Sequence, residues 1–216
     1  MTRVAVLASG SGTNLQAILD HQSALRGAGS AQVVLVASDQ ADAGALARAR
    51  DAGITAIALD RVARTTGLMP ILSAHRVEMV VLAGYLRLVP ADVVAHFRGR
   101  ILNVHPALLP AFGGPGMFGH HVHEAVIASG TRLTGPTVHF VDERFDAGPI
   151  IAQVAVPVLP ADSPDDLARR VLEAEHALYP KVVEAVASGR IRLGGDNRVV
   201  YHDEPDLRPL DVTSIG

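Results

Sequence analysis

Two stretches of this chain set side chains at spacings that suit chemistry. In Asn103-Val104-His105-Pro106 an amide and an imidazole stand two residues apart. Alternate residues of a strand share a face, so if the apolar run 101–105 is a strand, both groups leave its carboxyl end on one side. An amide N–H and a protonated imidazole are donors fit to steady an oxyanion, and each well-placed donor is worth roughly 2.7–4 kcal/mol in the transition state. A single histidine at a strand end serves structure more often than catalysis, so the pair needs company.

The second stretch is Ser9-Gly10-Ser11-Gly12-Thr13-Asn14-Leu15, between an apolar run and a helical pattern. Glycines let the backbone fold tightly, and unpaired N–H groups at a helix start carry partial positive charge, so a phosphate fits there. A merely tight strand-to-helix turn is the plainer alternative. Position 15 is Leu, which departs from the dinucleotide pattern, and no Gly-Lys-Ser/Thr follows, so neither a standard dehydrogenase nor a P-loop ATPase is supported.

Three further places hold polar groups. Asp146, within the turn-like stretch 142–149, would favour and orient a His105 imidazolium if it lay nearby; an ordinary turn aspartate is the alternative. Glu175 and His176 fall midway along a late helical pattern and suit either a solvated face or the edge of a site. His120-His121-Val122-His123 has no acid or cysteine at ligand spacing, so a pocket wall or plain surface is expected there and no metal.

These residues must be positioned by an α/β framework. The runs 4–8, 33–37, 54–59, 79–83 and 101–105 are continuously apolar and alternate with helical patterns such as 14–25 and 43–52. Strands of that kind are covered on both faces, as in a parallel sheet flanked by helices, and ligands bind beyond their carboxyl ends. The stretch 107–118 has little periodicity and contains Gly113, Gly114, Pro115 and Gly116; a connection that long is usually functional or disordered. Two more strands are expected at 137–142 and 150–156. Ser163-Pro164-Asp165-Asp166 opens a helix, which Pro180 should break or kink before 181–187 resumes it. A hairpin turning at Gly194-Gly195-Asp196-Asn197 and an irregular tail over the last dozen residues complete the reading.

The 216 residues carry 19 Lys+Arg against 22 Asp+Glu, a formal charge of −3, which excludes a strongly basic nucleic-acid binder and a strongly acidic tail protein. With 49% hydrophobic residues a sizeable core is affordable. Absence of cysteine excludes a disulfide framework, a thiolate metal site and a cysteine nucleophile together. No apolar run approaches the ~18 residues of a membrane span, so a cytoplasmic protein without membrane or nucleic-acid partners is expected. No linker composition divides the chain, and a single domain over 1–216 is the reading, with halves 1–105 and 106–189 and a hairpin and tail at 190–216.

With these motifs in view, the chain resembles the phosphoribosylglycinamide formyltransferases, folate-dependent enzymes of purine synthesis. The resemblance runs from Val4 to about Gly189 and is carried by five ordered motifs: Ser9-Gly-Ser-Gly-Thr-Asn-Leu-Gln16, Leu82-Ala-Gly-Tyr-Leu-Arg87, Ile101-Leu-Asn-Val-His-Pro-Ala-Leu-Leu-Pro110, Thr137-Val-His-Phe140 and Asp146-Ala-Gly-Pro149. It implies a Rossmann-like formyltransferase fold and a co-substrate, 10-formyltetrahydrofolate, whose formyl group passes to the amine of glycinamide ribonucleotide. By the same resemblance Gly12, Thr13 and Asn14 hold the ribonucleotide phosphate, and Glu175 contacts its sugar. Leu86, Arg87, Leu88 and Val89 line the folate pocket together with Asn103, Arg64 matches a further folate-contacting arginine, and Asn103, His105 and Asp146 form the catalytic trio. Asp146 would raise the histidine pKa. The chain departs from the pattern in three ways: Ala107 replaces a frequent Ser, the 113–119 stretch is longer than in some relatives and suits a mobile lid, and the segment around Arg64 is shortened. Related alternatives are a formyltetrahydrofolate hydrolase, a methionyl-tRNA formyltransferase, for which the chain lacks length and basic charge, and a non-catalytic nucleotide-binding module. A homodimer is left open.

Overall fold

The computed structural model describes residues 1–202 and 207. In chain order the elements are β1 (Thr2–Leu7), α1 (Thr13–Ala24), β2 (Ala31–Ser38), α2 (Gly44–Asp51), β3 (Thr55–Ala58), α3 (Leu68–Ala74), β4 (Met79–Leu82), α4 (Ala91–His96) and β5 (Ile101–His105). They continue with α5 (His120–Ala128), β6 (Leu133–Thr134), β7 (Thr137–Phe140), β8 (Ile150–Gln153), β9 (Val156–Pro157), α6 (Pro164–Ala187), β10 (Ile191–Leu193) and β11 (Val199–Tyr201). Seven strands form one sheet in the order β3-β2-β1-β4-β5-β7-β8. The first five are parallel, while β7 and β8 join antiparallel.

Side-chain alternation explains why the apolar runs have no polar face. Along β1, Val4 and Val6 enter one core with Leu15 and Ile18 of α1, Ala45 and Leu46 of α2, and Val171 and Leu178 of α6. Ala5 and Leu7 enter the other core with Leu68 and Leu72 of α3 and Val93 of α4. Each strand residue therefore meets a helix whichever way it points, as the pattern requires.

The chain leaves β1 with β2 on one side and β4 on the other. A crevice opens at the carboxyl ends of strands where the winding reverses in this way. The loop after β1 and the segment after β4 run down its two walls, tied by the Ser9 N–H to the Gly84 carbonyl at 3.0 Å.

Several expectations change in the folded chain. The strand expected over 137–142 stops at Phe140, and the one over 150–156 divides into β8 and β9, because β9 leaves the main sheet to pair with β6. Helices α3, α4 and α5, of 7, 6 and 9 residues, are additions to the elements expected from sequence. Pro180 does not end the late helix, which runs unbroken for 24 residues. The missing N–H is tolerated because buried Tyr179, Pro180, Val182 and Val183 hold that turn in the core. The opening of α6 is as expected: Ser163 and Asp166 form a reciprocal capping box with Pro164 at the first position. The 194–197 turn does join a two-stranded hairpin, β10 with β11. The expected tail lies outside the described residues, Leu207 excepted.

Tyr179 locks α6 to the floor of the crevice. Its hydroxyl, fully buried, shares its proton between the Leu82 carbonyl at 2.9 Å and the Leu102 carbonyl at 3.1 Å, the one ending β4 and the other within β5. Tyr179→Phe strips both carbonyls of this donor, and a buried polar group deprived of its partner costs about 1–3 kcal/mol. Urea unfolding should show that loss as a lower midpoint at unchanged slope.

Candidate active site

Three side chains remote in sequence meet at the carboxyl end of β5. His105 Nδ1 lies 3.5 Å from Asp146 Oδ2, and Asn103 Nδ2 lies 3.4 Å from Asp146 Oδ1. All three line a cleft of about 170 Å³. Asp146 reaches this position from the turn between β7 and β8 with φ of 52°, a left-handed conformation that aspartate tolerates better than most residues. It is a turn aspartate and also a member of the cluster.

A fourth member, His139, is not singled out by sequence reasoning. Antiparallel pairing of β5 with β7 sets Asn103 directly opposite His139, and the two side chains meet at 3.1 Å. His139 Nδ1 faces the Phe140 carbonyl at 2.8 Å and so donates; its Nε2 stands 3.1 Å from the Asn103 NH₂ nitrogen and 3.7 Å from Asp146 Oδ1. The Asn103 NH₂ group also serves Asp146. Both amide N–H bonds are thereby engaged within the cluster, and the amide oxygen has no hydrogen bond among the described residues. A cross-strand register, which only the pairing of β7 reveals, would have found His139.

The long connection 107–119 closes over this cluster. His105 Nε2 lies 2.8 Å from the Phe112 carbonyl, and the Gly114 N–H donates to Asp146 Oδ2 at 3.0 Å. Burial pushes the His105 pKa below its ordinary value; the Asp146 charge and the Phe112 carbonyl act the other way without prevailing. The expectation of a raised histidine pKa is therefore corrected, because the ring is only 3% exposed and desolvation exceeds the carboxylate's pull. Burial also pushes the Asp146 carboxyl up, but His139, His105 and the Gly114 N–H together hold it below the usual carboxylate range.

Across the crevice, Gly12 caps α1 in a left-handed conformation with φ of 76° and no side-chain cap. A Cβ here would stand 2.6 Å from Ala45 Cα of α2, so α2 packs directly on the loop. The first N–H groups of α1 at Thr13 and Asn14 start with no side-chain acceptor, the condition in which a helix start takes an anion. Asn14 Nδ2 donates to Glu175 Oε2 at 2.6 Å, the only side-chain hydrogen bond to that carboxyl among the described residues. Burial pushes the Glu175 carboxyl up to about 7, with Asn14 opposing. Glu175 is thus buried and not on a solvated face; His176, half-buried, lines a shallow hollow with Thr13, Gln16 and Arg48.

Leu86, Arg87, Leu88 and Val89 line the cleft beside Asn103. Leu86 and Leu88 are exposed and give the cleft an apolar rim. Arg64 is absent from the cleft wall and stands close enough to Tyr85 to bear on its phenol. His120 and His121 are surface residues near Glu124, whereas His123 is buried, its Nδ1 without a partner and its pKa pushed down to about 4 by burial. Among the described residues no group of three His, Asp or Glu side chains is arranged to hold a metal.

A donor-rich polar cluster, an uncapped helix start and an apolar-rimmed cleft thus share one rim of the sheet. The Formyl transferase family pattern matches residues 2–183. The chain is 45% identical over 197 residues to a protein described as chloroplastic phosphoribosylglycinamide formyltransferase of Arabidopsis thaliana, covering 88% of this chain and 67% of that one. A crystal structure of glycinamide ribonucleotide transformylase 1 from Symbiobacterium toebii superposes with a TM-score of 0.85 at 44% identity, over 94% of this chain and 95% of that chain. A formyltetrahydrofolate deformylase from Pseudomonas syringae pv. tomato shares the fold with a TM-score of 0.81, at 24% identity and over 66% of its chain. The chain belongs to the formyl transferase family.

Packing of the glycine loop gives a direct test. Gly12→Ala forces a Cβ into Ala45 and demands a left-handed alanine. Affinity for inorganic phosphate or a ribose phosphate, measured by titration calorimetry, should fall at least about tenfold, which is ~1.4 kcal/mol.

Proposed function

We propose that this chain transfers the formyl group of 10-formyltetrahydrofolate to the amine of glycinamide ribonucleotide, giving the N-formyl ribonucleotide and tetrahydrofolate. The observation that carries the reading is the meeting of Asn103, His105 and Asp146 in a cleft walled by Leu86 to Val89. Similarity to proteins described as phosphoribosylglycinamide formyltransferases, over most of this chain, supports the choice of substrates.

Gly12, Thr13 and Asn14 receive the phosphate and Glu175 the ribose hydroxyls. The apolar rim at Leu86 and Leu88 covers the folate ring, with Arg87 and Arg64 toward its acidic end. The amine attacks the formyl carbon; negative charge gathers on the formyl oxygen and positive charge on the amine. The oxygen takes the place of the Phe112 carbonyl at His105 Nε2, so the loop 107–119 must shift on binding. The Nε2–H that His105 gives the Phe112 carbonyl at rest is donated instead to the formyl oxygen as its charge develops. Asn103 turns a donor to the same oxygen or, through its free amide oxygen, orients the amine N–H. Asp146, an ion held low, takes the amine proton through water and the proton passes to N10 as the C–N10 bond breaks. No covalent enzyme adduct and no metal enter this scheme. The proposed setting is the cytoplasm, with the chain acting as a single domain and without nucleic-acid or membrane partners; a homodimer is compatible with it.

The hydrolase alternative differs only in the acceptor. Tetrahydrofolate release, followed by absorbance, is expected with glycinamide ribonucleotide and not with water alone or an unrelated amine; release with water alone would overturn the transferase reading. His105→Ala should lower kcat by about 10²–10³ with little change in ribonucleotide affinity.

The Glu175 carboxyl adds a pH dependence. Its ionised form accepts two hydroxyl hydrogen bonds, and the proton returns as pH falls through about 7. KM for the ribonucleotide should therefore rise below pH 7, and Glu175→Gln should have a high KM that no longer varies across that range.

A further inference from the structure

Asp39 follows β2 directly, and no part of the transfer scheme uses it. Its side chain is 1% exposed although it lies at the rim of the sheet. Oδ1 accepts the Ser9 hydroxyl at 2.6 Å, Oδ2 accepts Arg87 Nε at 2.9 Å, and Gln40 Nε2 adds a longer bond at 3.3 Å. Ser9 Oγ in turn accepts the Leu86 N–H at 3.0 Å. One carboxylate thus grips the first residue of the glycine loop, the cation of the 86–89 segment and, through Ser9, that segment's backbone.

A covered charge persists only where paired and hydrogen-bonded, and Asp39 meets both conditions. Three hydrogen bonds and the Arg87 charge outweigh burial and hold its carboxyl below the ordinary value, so it stays ionised. Arg87 engages Asp39 through Nε alone; its side chain is 54% exposed and lines the cleft. A guanidinium fixed at Nε presents its remaining donors in a set direction, and a group already oriented loses less freedom when a ligand arrives.

We propose that Asp39 is a positioning residue for the formyl donor: it aims the Arg87 guanidinium into the cleft and, through Ser9, sets the Leu86 backbone. The folate wall is thereby built on the ribonucleotide loop. This inference rests on the formyltransferase reading, with the folate at 86–89.

Asparagine at 39 keeps the shape and an acceptor for Ser9 but removes the charge that holds Arg87. Steady-state kinetics with both substrates varied, on the wild type, Asp39→Asn, Arg87→Ala and the double variant, separate the cases. Asp39→Asn should raise KM for the formyl donor about tenfold while kcat and the ribonucleotide KM move less than about twofold, and in the Arg87→Ala background it should add less than about twofold. Ser9→Ala cuts only the Leu86 branch and should raise the donor KM about threefold, a second readout if Asp39→Asn fails to fold. An unchanged donor KM in Asp39→Asn, or an equal rise with and without Arg87, overturns the positioning role. If Arg87→Ala itself leaves the donor KM unchanged, the placing of folate at 86–89 falls too, which distinguishes failure of the function from failure of the inference alone.

Discussion

The site depends on one pairing: the antiparallel junction of β7 with the last parallel strand, β5. Its register sets Asn103 opposite His139 and His105 opposite Thr137. Thr137, fully buried, donates its hydroxyl proton to the Ala107 carbonyl at 2.6 Å and accepts the Leu109 N–H at 3.0 Å. That pins the root of the 107–119 connection, so that Phe112 and Gly114 arrive over His105 and Asp146. A slip of one residue in this register would send every β7 side chain to the opposite face and dissolve the cluster at once.

Within the cluster nearly every polar atom already has a partner. Asn103 spends both N–H bonds on His139 and Asp146, His105 faces Phe112 and Asp146 from its two nitrogens, and Asp146 also takes the Gly114 N–H. A half-satisfied buried network is costly, and the loop backbone supplies the last contacts of this one. In the proposed reaction a substrate oxygen would enter by exchanging for the Phe112 carbonyl, so that little stabilisation would be lost and binding energy would remain for differences between ground and transition states.

Legibility from sequence follows the range of the interaction involved. Apolar runs such as 4–8 declare buried strands because both faces of the sheet are covered, and Ser163-Pro164 declares a helix start because capping is local. Asn103 and His105 are readable as a pair since alternation on one strand is enough. His139 and Asp39 are not, because each acts through a partner 36 or 48 residues away that only tertiary pairing supplies. The direction of the His105 shift also escapes sequence: an acid near a histidine argues for a raised pKa, and only the depth of burial reverses it. Pro180 misleads for the same reason, local chemistry forbidding what core packing at Tyr179 and Val183 overrides.

Two carboxyls on the same rim are driven apart by their surroundings. Asp146 is ringed by two imidazoles, an amide and a backbone N–H, which outweigh its burial and keep it an anion. Glu175 is buried with Asn14 as its side-chain partner and rises to about 7. Divergent environments of this kind assign divergent roles. An anion held low takes up a proton only while a strongly acidic ammonium is beside it, so Asp146 suits a proton passing through the site. A carboxyl near half-ionised at neutral pH gains its charge when hydroxyl donors arrive to stabilise it, so Glu175 suits recognition. Asn14 links the two ends of this arrangement, because the residue whose amide holds Glu175 also stands at the open start of α1. In the proposed reaction, sugar and phosphate would then be read by a single helix end, and the amine they carry would be delivered toward the carboxyl end of β5.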